Sequence, residues 1–106
     1  MKVIAVDIDG TICSITYGEY EKAIPKKVYI EFINEQYDKG HQIVYWTARG
    51  ATTGIDWTEF TKKQLDEWGC KYHELKMGKP FYDVLLDDKA KMIEWYFVRN
   101  GGIELI

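Results

Sequence analysis

The sequence predicts an α/β domain built on a mainly parallel sheet, and two observations carry that expectation. Apolar runs end in polar residues at Lys2 to Asp7, at His41 to Thr47 and at Tyr82 to Asp88. Around and between them lie segments whose apolar residues recur at helical spacing. Strands that alternate with helices imply parallel pairing through right-handed crossovers.

The elements follow in order. A first strand is expected over residues 2 to 7, apolar nearly throughout, as suits a parallel strand covered on both faces. The loop Ile12 to Ile24 leads to a helix that begins near Pro25, since proline is tolerated in a first turn. Val28 and Phe32 in one row, with Tyr29, Ile33 and Tyr37 in the next, give that helix an apolar stripe, and Lys39-Gly40 stops it. Residues 41 to 46 form the second strand. Asp56-x-x-Glu59 reads as a capping box for a helix whose Trp57, Phe60, Leu65 and Trp68 recur at helical spacing. These aromatics read as core, with Trp57 the best placed to meet a ligand. Residues 70 to 75 form a short third strand and 82 to 87 a fourth. Ala90, Ile93 and Phe97 face a last helix that ends at Asn100-Gly101-Gly102, and residues 103 to 106 read as an edge strand or simply as the end of the chain.

With 106 residues, the chain reads as a single domain, 1–106, too short to carry a second domain that closes over a substrate. It is 46% hydrophobic and 15% aromatic, which argues for a folded globule. The net charge is -3 and the signs are mixed along the chain, so no general affinity for nucleic acid or membrane is expected. Cys13 and Cys70 form no CxxC or His/Cys cluster, which points to reduced thiols and a cytoplasmic location. Asp7 and Asp9 interrupt the only amino-terminal apolar run, so no signal peptide is expected, and no stretch has transmembrane length.

In parallel α/β sheets, sites form beyond the carboxyl ends of the strands, where Asp7, Thr47 and Asp87-Asp88 fall. In Asp7-Ile8-Asp9-Gly10-Thr11, two carboxylates at i and i+2 precede a glycine turn. One carboxylate can attack phosphorus while the other handles the leaving-group proton, a layout for phosphoryl transfer; the same residues also suit an ordinary polar turn. Thr47, with backbone N–H groups after it, can hold phosphate oxygens without placing charge in line with the attack. Arg49 has two readings, a fork for a second anionic group of the substrate or a partner for Glu59 or another surface carboxylate. Carboxylates without a His/Cys cluster favour Mg²⁺ over zinc. His41 and His73 read as structural or exposed.

The order Asp7-x-Asp9-Gly-Thr, Thr47, a lysine and Asp87-Asp88 resembles the haloacid dehalogenase (HAD) superfamily of aspartate-nucleophile phosphatases. Tyr20-Glu21, Lys39-Gly40-His41, Thr47-Ala48-Arg49-Gly50 and Gly78-Lys79-Pro80-x-Tyr82-Asp83 further resemble its small capsule-biosynthesis phosphatases. The resemblance implies a three-layer sandwich on a Rossmann-like sheet without a cap domain. It implies Asp7 as nucleophile, Asp9 as general acid and base, and Thr47 and Lys79 completing the catalytic set. Phosphate would be held by Asp7, Gly10, Thr47, Ala48 and Lys79, and Mg²⁺ by Asp7, Asp9 and Asp88 with Asp87 in support. Lys79 reaches such a site only if residues 76 to 79 occupy the loop above the third strand, and Lys76 would suit the same loop.

The implied activity is Mg²⁺-dependent hydrolysis of a small phosphomonoester through an aspartyl-phosphate. A sugar phosphate or related intermediate of surface polysaccharide synthesis is the first expectation, and a nucleotide or polynucleotide end the alternative. A capless site must accept a bulky substrate or be covered by a second copy in a homo-oligomer. Tyr17, Glu19, Tyr20 and Glu21 are best placed to touch a leaving group, and read equally as a solvated loop. Competing readings are a receiver-like signalling module, whose acidic pair comes first along the chain and not last as here, and an inactive phosphate binder.

Overall fold

The computed structural model describes residues 1–102, so the reading of residues 103 to 106 falls outside the described part. The order of elements is β1 (Val3–Val6), a 3₁₀ turn (Tyr20–Lys22), α1 (Lys27–Asp38), β2 (Gln42–Trp46), α2 (Thr58–Glu67), β3 (Glu74–Lys76) and α3 (Ile93–Arg99). The three strands form one parallel sheet in the order β1-β2-β3, with Val6 opposite Tyr45 and Tyr45 opposite Leu75. The expected parallel α/β architecture is present in this three-stranded form.

β2 is central because Ile43, Val44 and Tyr45 are all buried, as a strand paired on both sides requires. β1 departs from expectation. Val3 is 64% exposed and Ala5 is also exposed, while Ile4 and Val6 turn inward, so one face of this edge strand meets solvent. α1 starts at Lys27, not at Pro25, because Pro25 bridges Cys13 and the Lys26 N–H donates to the Ile12 carbonyl at 2.8 Å. That bond holds the approach to α1 against the preceding loop. At α2, Asp56 Oδ1 accepts from the Thr58 N–H at 2.9 Å and the Thr58 hydroxyl at 2.6 Å. Glu59 pairs with Lys62 at 3.6 Å, so only half of the expected capping box forms.

The expected fourth strand over residues 82 to 87 is not formed, and residues 81 to 90 are exposed and irregular. Val84 and Leu86 are 71% and 91% exposed. Apolar, β-prone composition does not make a strand without a ladder partner, and no strand among the described residues pairs with this run. Asp87 Oδ1 instead accepts the Lys89 N–H at 2.8 Å, a local turn that ends the run.

The core joins Ile8, Ile12, Ile43, Tyr45 and Leu65 to Phe32, Ile33 and Phe97. Phe97 packs edge-on against Tyr29 at 5.4 Å and Phe32 at 5.3 Å, which fixes α3 on α1. Both histidines serve the backbone, as expected. His41 Nδ1 accepts from the Lys2 N–H and His73 Nδ1 from the Ile43 N–H, each at 3.0 Å. No helix of the described residues is long and apolar enough to cross a membrane.

Candidate active site

β1 ends one residue before Asp7, and the chain then plunges inward at Ile8, which is fully buried. That anchor leaves Asp7 and Asp9 on the opposite side, both lining one cavity of about 580 Å³. The turn that follows is tight. The Thr11 and Ile12 N–H groups both donate to the Ile8 carbonyl at 3.0 Å, and Gly10 takes φ +84° while its N–H donates to the Cys13 carbonyl at 2.9 Å. Gly10 therefore spends its amide on the turn and does not line the cavity, whereas Ala48 does.

Thr47 follows β2 directly and is buried. Its N–H donates to the Lys76 carbonyl, and its carbonyl accepts the Lys79 N–H, both at 3.0 Å. These two bonds extend the pairing past β3 and fold residues 77 to 79 back over the strand ends, with Gly78 at φ +82° supplying the left-handed turn. The geometric condition for Lys79 is thus met. Its ammonium lies 3.5 Å from Asp7 Oδ1, flanked by the rings of Trp46 at 5.5 Å and Tyr82 at 5.2 Å. Lys76 is exposed at the end of β3 and does not line the cavity. Thr47 Oγ1 accepts the Arg49 N–H at 3.1 Å, which leaves its hydroxyl hydrogen to donate.

Burial raises the Asp7 carboxyl above its ordinary value, and the nearby Lys79 ammonium opposes that shift without cancelling it. Asp9 is held differently. Arg49 Nε donates to Asp9 Oδ2 and Nη2 to Oδ1, both at 2.9 Å, a bidentate pair. The other side of the guanidinium donates from Nη1 to Gln64 Oε1 at 2.7 Å and Thr61 Oγ1 at 3.2 Å. The Tyr20 ring lies 4.5 Å from its Cζ, and the Tyr20 carbonyl accepts from Gln64 Nε2 at 2.8 Å. Neither Glu59 nor a solvent-facing carboxylate is the partner of Arg49; it is Asp9. Thr61 and Gln64 were not signalled by any motif. The one available sign was two polar residues on the same helix face as Leu65 and Trp68.

Cys13 is buried behind Asp9 as a thiol. Burial and the Asp9 charge push its thiol up to about 12, and its Sγ donates to the Ile8 carbonyl and Asp9 Oδ1 at 3.6 Å. Tyr17, Tyr20 and Trp57 line the cavity, whereas Glu19 and Glu21 lie outside it. Asp87 and Asp88 also lie outside it, in the exposed segment after Tyr82. Among the described residues no group of three or more His, Cys, Asp or Glu side chains could hold a metal. The expected Asp7, Asp9, Asp88 and Asp87 ligand set is therefore not assembled in this arrangement.

Gly50 closes the loop over Arg49 with φ +82°, and a Cβ there would collide with the Ile55 carbonyl oxygen. Gly50→Ala is expected to destabilise by about 2–4 kcal/mol, combining left-handed strain with overpacking. Gly54 shares the conformation at φ +75° but faces open space, so Gly54→Ala should cost only about 1 kcal/mol. Denaturant midpoints of the two variants, compared in parallel, check the contrast.

No protein-family model and no curated protein matches the chain. Among solved structures, the crystal structure of an MCSG target from Vibrio cholerae is 28% identical with a TM-score of 0.80, covering 91% of this chain and 87% of that one. The Pnkp1/Rnl/Hen1 complex is 15% identical with a TM-score of 0.61, covering 93% of this chain but 34% of that one. The second likeness is one of fold alone.

Proposed function

We propose that this chain is a HAD-type phosphatase, a capless three-layer domain that hydrolyses a phosphomonoester through an aspartyl-phosphate. The observation that carries the reading is Asp7 and Asp9 facing one cavity, Asp7 beside a buried lysine and Asp9 clamped by a buried arginine. Asp7 attacks phosphorus as the bond to the leaving oxygen breaks, and Asp9 supplies the proton that oxygen needs. Water then attacks the acyl phosphate, giving its proton to Asp9 and releasing phosphate from Asp7. Asp9 Oδ1 accepts from both Arg49 and Cys13, whereas Oδ2 accepts from Arg49 alone, so a second lone pair remains on Oδ2 for that proton. Lys79 and the Thr47 hydroxyl hold the equatorial oxygens. Phosphate release from a simple phosphomonoester, lost in Asp7→Asn, tests the reading; equal release by both proteins overturns it.

Mg²⁺ is part of the proposal on the chemistry of the donors, since carboxylate and carbonyl oxygens suit a hard cation. As arranged, the cavity brings two carboxylates, Asp7 and Asp9, to such an ion, with Asp87 and Asp88 outside it, and no step above depends on it. Asp87 and Asp88 would join them if residues 83 to 87 lay along the unpaired edge of β1. Two observations favour that: among the described residues β1 has no partner on its outer side, and Val84, Leu85 and Leu86 are exposed. Mg²⁺ is then expected to slow amide hydrogen exchange of residues 83 to 87. Unchanged exchange at saturating Mg²⁺ would remove Asp87 and Asp88 from the metal assignment.

A further inference from the structure

The two halves of the cavity differ in chemistry. Its floor carries two carboxylates and two cations, and the cations are already committed. Lys79 faces Asp7, and Arg49 spends both outer nitrogens on Asp9, Thr61 and Gln64. Among the described lining residues no other basic side chain is present. The rim, by contrast, carries aromatic rings with little reason to be there on grounds of folding. Phe81 is 69% exposed, and Tyr17 is 95% exposed while held at φ +53°, the one non-glycine residue of the described chain with positive φ. A tyrosine in that conformation is strained, and the strain positions a ring in solvent at the mouth of the site. Trp57 adds a third ring, braced edge-on by Tyr20 at 4.9 Å and by Phe60 at 5.2 Å.

From this, and resting on the phosphatase reading, we propose that the substrate is a monophosphate whose leaving group is uncharged and offers a flat ring face to Tyr17, Trp57 and Phe81. A second phosphate or a carboxylate on the leaving group finds no free cation, so bisphosphates, sugar acids and polynucleotide ends are disfavoured. An aromatic rim takes a ring face by contact area and π stacking, and both a pyranose and a nucleobase present such a face. The recognition chemistry is shared between those two sources.

The test compares phosphate release from glycerol phosphate, a hexose 6-phosphate, a nucleoside 5′-monophosphate, a hexose bisphosphate and a nucleoside 3′,5′-bisphosphate. The ring monophosphates are expected to exceed both glycerol phosphate and the bisphosphates about tenfold in kcat/KM. Tyr17→Ala and Phe81→Ala should each raise KM for the preferred ring monophosphate about fivefold or more, and by a clearly smaller factor for glycerol phosphate. The source is the ring that loses more. Equal or better hydrolysis of the bisphosphates, or rim variants without effect on KM, would overturn the inference while leaving the phosphatase intact. No release from any of the five would instead overturn the phosphatase reading. Calorimetric titration of the same compounds onto Asp7→Asn then still reads ring and charge preference without turnover, and equal affinity for all five overturns the inference there too.

Discussion

Arg49→Ala is expected to cost about 3–5 kcal/mol of folding stability, a large share of the roughly 5–15 kcal/mol that holds a domain of this size. Arg49 is 3% exposed, and its side chain bonds Asp9, Thr61 and Gln64 while lying over the Tyr20 ring. Truncation strands all of these at once. Asp9 keeps a carboxylate with 24% of its side chain exposed and no cation beside it, and the Thr61 and Gln64 acceptors lose their donor. On the proposed phosphatase reading, the same change should cut phosphate release about 10²-fold or more, because Asp9 would lose the clamp that aims it at the leaving oxygen. Arg49→Lys is not a conservative repair. An ammonium cannot fork both Asp9 oxygens while also reaching Gln64, so most of the loss should persist. Denaturant titration of both variants, with Asp9→Asn and the double variant to close a cycle, separates the pair from its surroundings. A loss below about 1 kcal/mol in Arg49→Ala would mean that the buried pair merely balances its own desolvation.

How much of this was legible beforehand depends on whether a feature is local or assembled. β2 could be read from Ile43 to Trp46 because a central strand is apolar on both faces whatever else the chain does. Asp7 and Thr47 could be placed on one side because each follows a parallel strand directly, and Asp9 stands two residues beyond Asp7. Lys79 was harder. Its position depends on the Thr47 carbonyl accepting its N–H, a contact between segments that spacing does not encode. Arg49 reads from the sequence as a substrate fork or a surface ion pair because Asp9 stands forty residues earlier, and only the packing of α2 brings Gln64 and Thr61 behind the guanidinium. The run from Tyr82 to Asp87 fails for the opposite reason. Its composition is that of a strand, but a strand exists through its ladder, and this segment has none among the described residues.

Asp7→Asn is expected to abolish turnover, by at least about 10³-fold, while making the protein more stable at neutral pH. The loss follows because an amide cannot attack phosphorus. The gain follows from the direction in which the folded chain moves the Asp7 carboxyl. Burial raises it above the ordinary value of 3.8, and Lys79 at 3.5 Å only partly offsets that. The native state therefore holds the Asp7 proton more tightly than the unfolded state does. The stability this contributes is fully present below 3.8 and is lost as pH rises through the higher folded value. At neutral pH the ionised carboxylate is a net burden on the fold, with the attraction of Lys79 already counted. Asparagine keeps the shape and discards the charge, so its thermal midpoint in chelator-containing buffer should exceed that of the native chain at pH 7. The gap should close towards pH 3, where both side chains are neutral. A variant less stable than the native chain at pH 7 would mean that the Lys79 pair outweighs the desolvation of Asp7. The nucleophile would then be an asset to the fold, not a charge maintained at the fold's expense for chemistry.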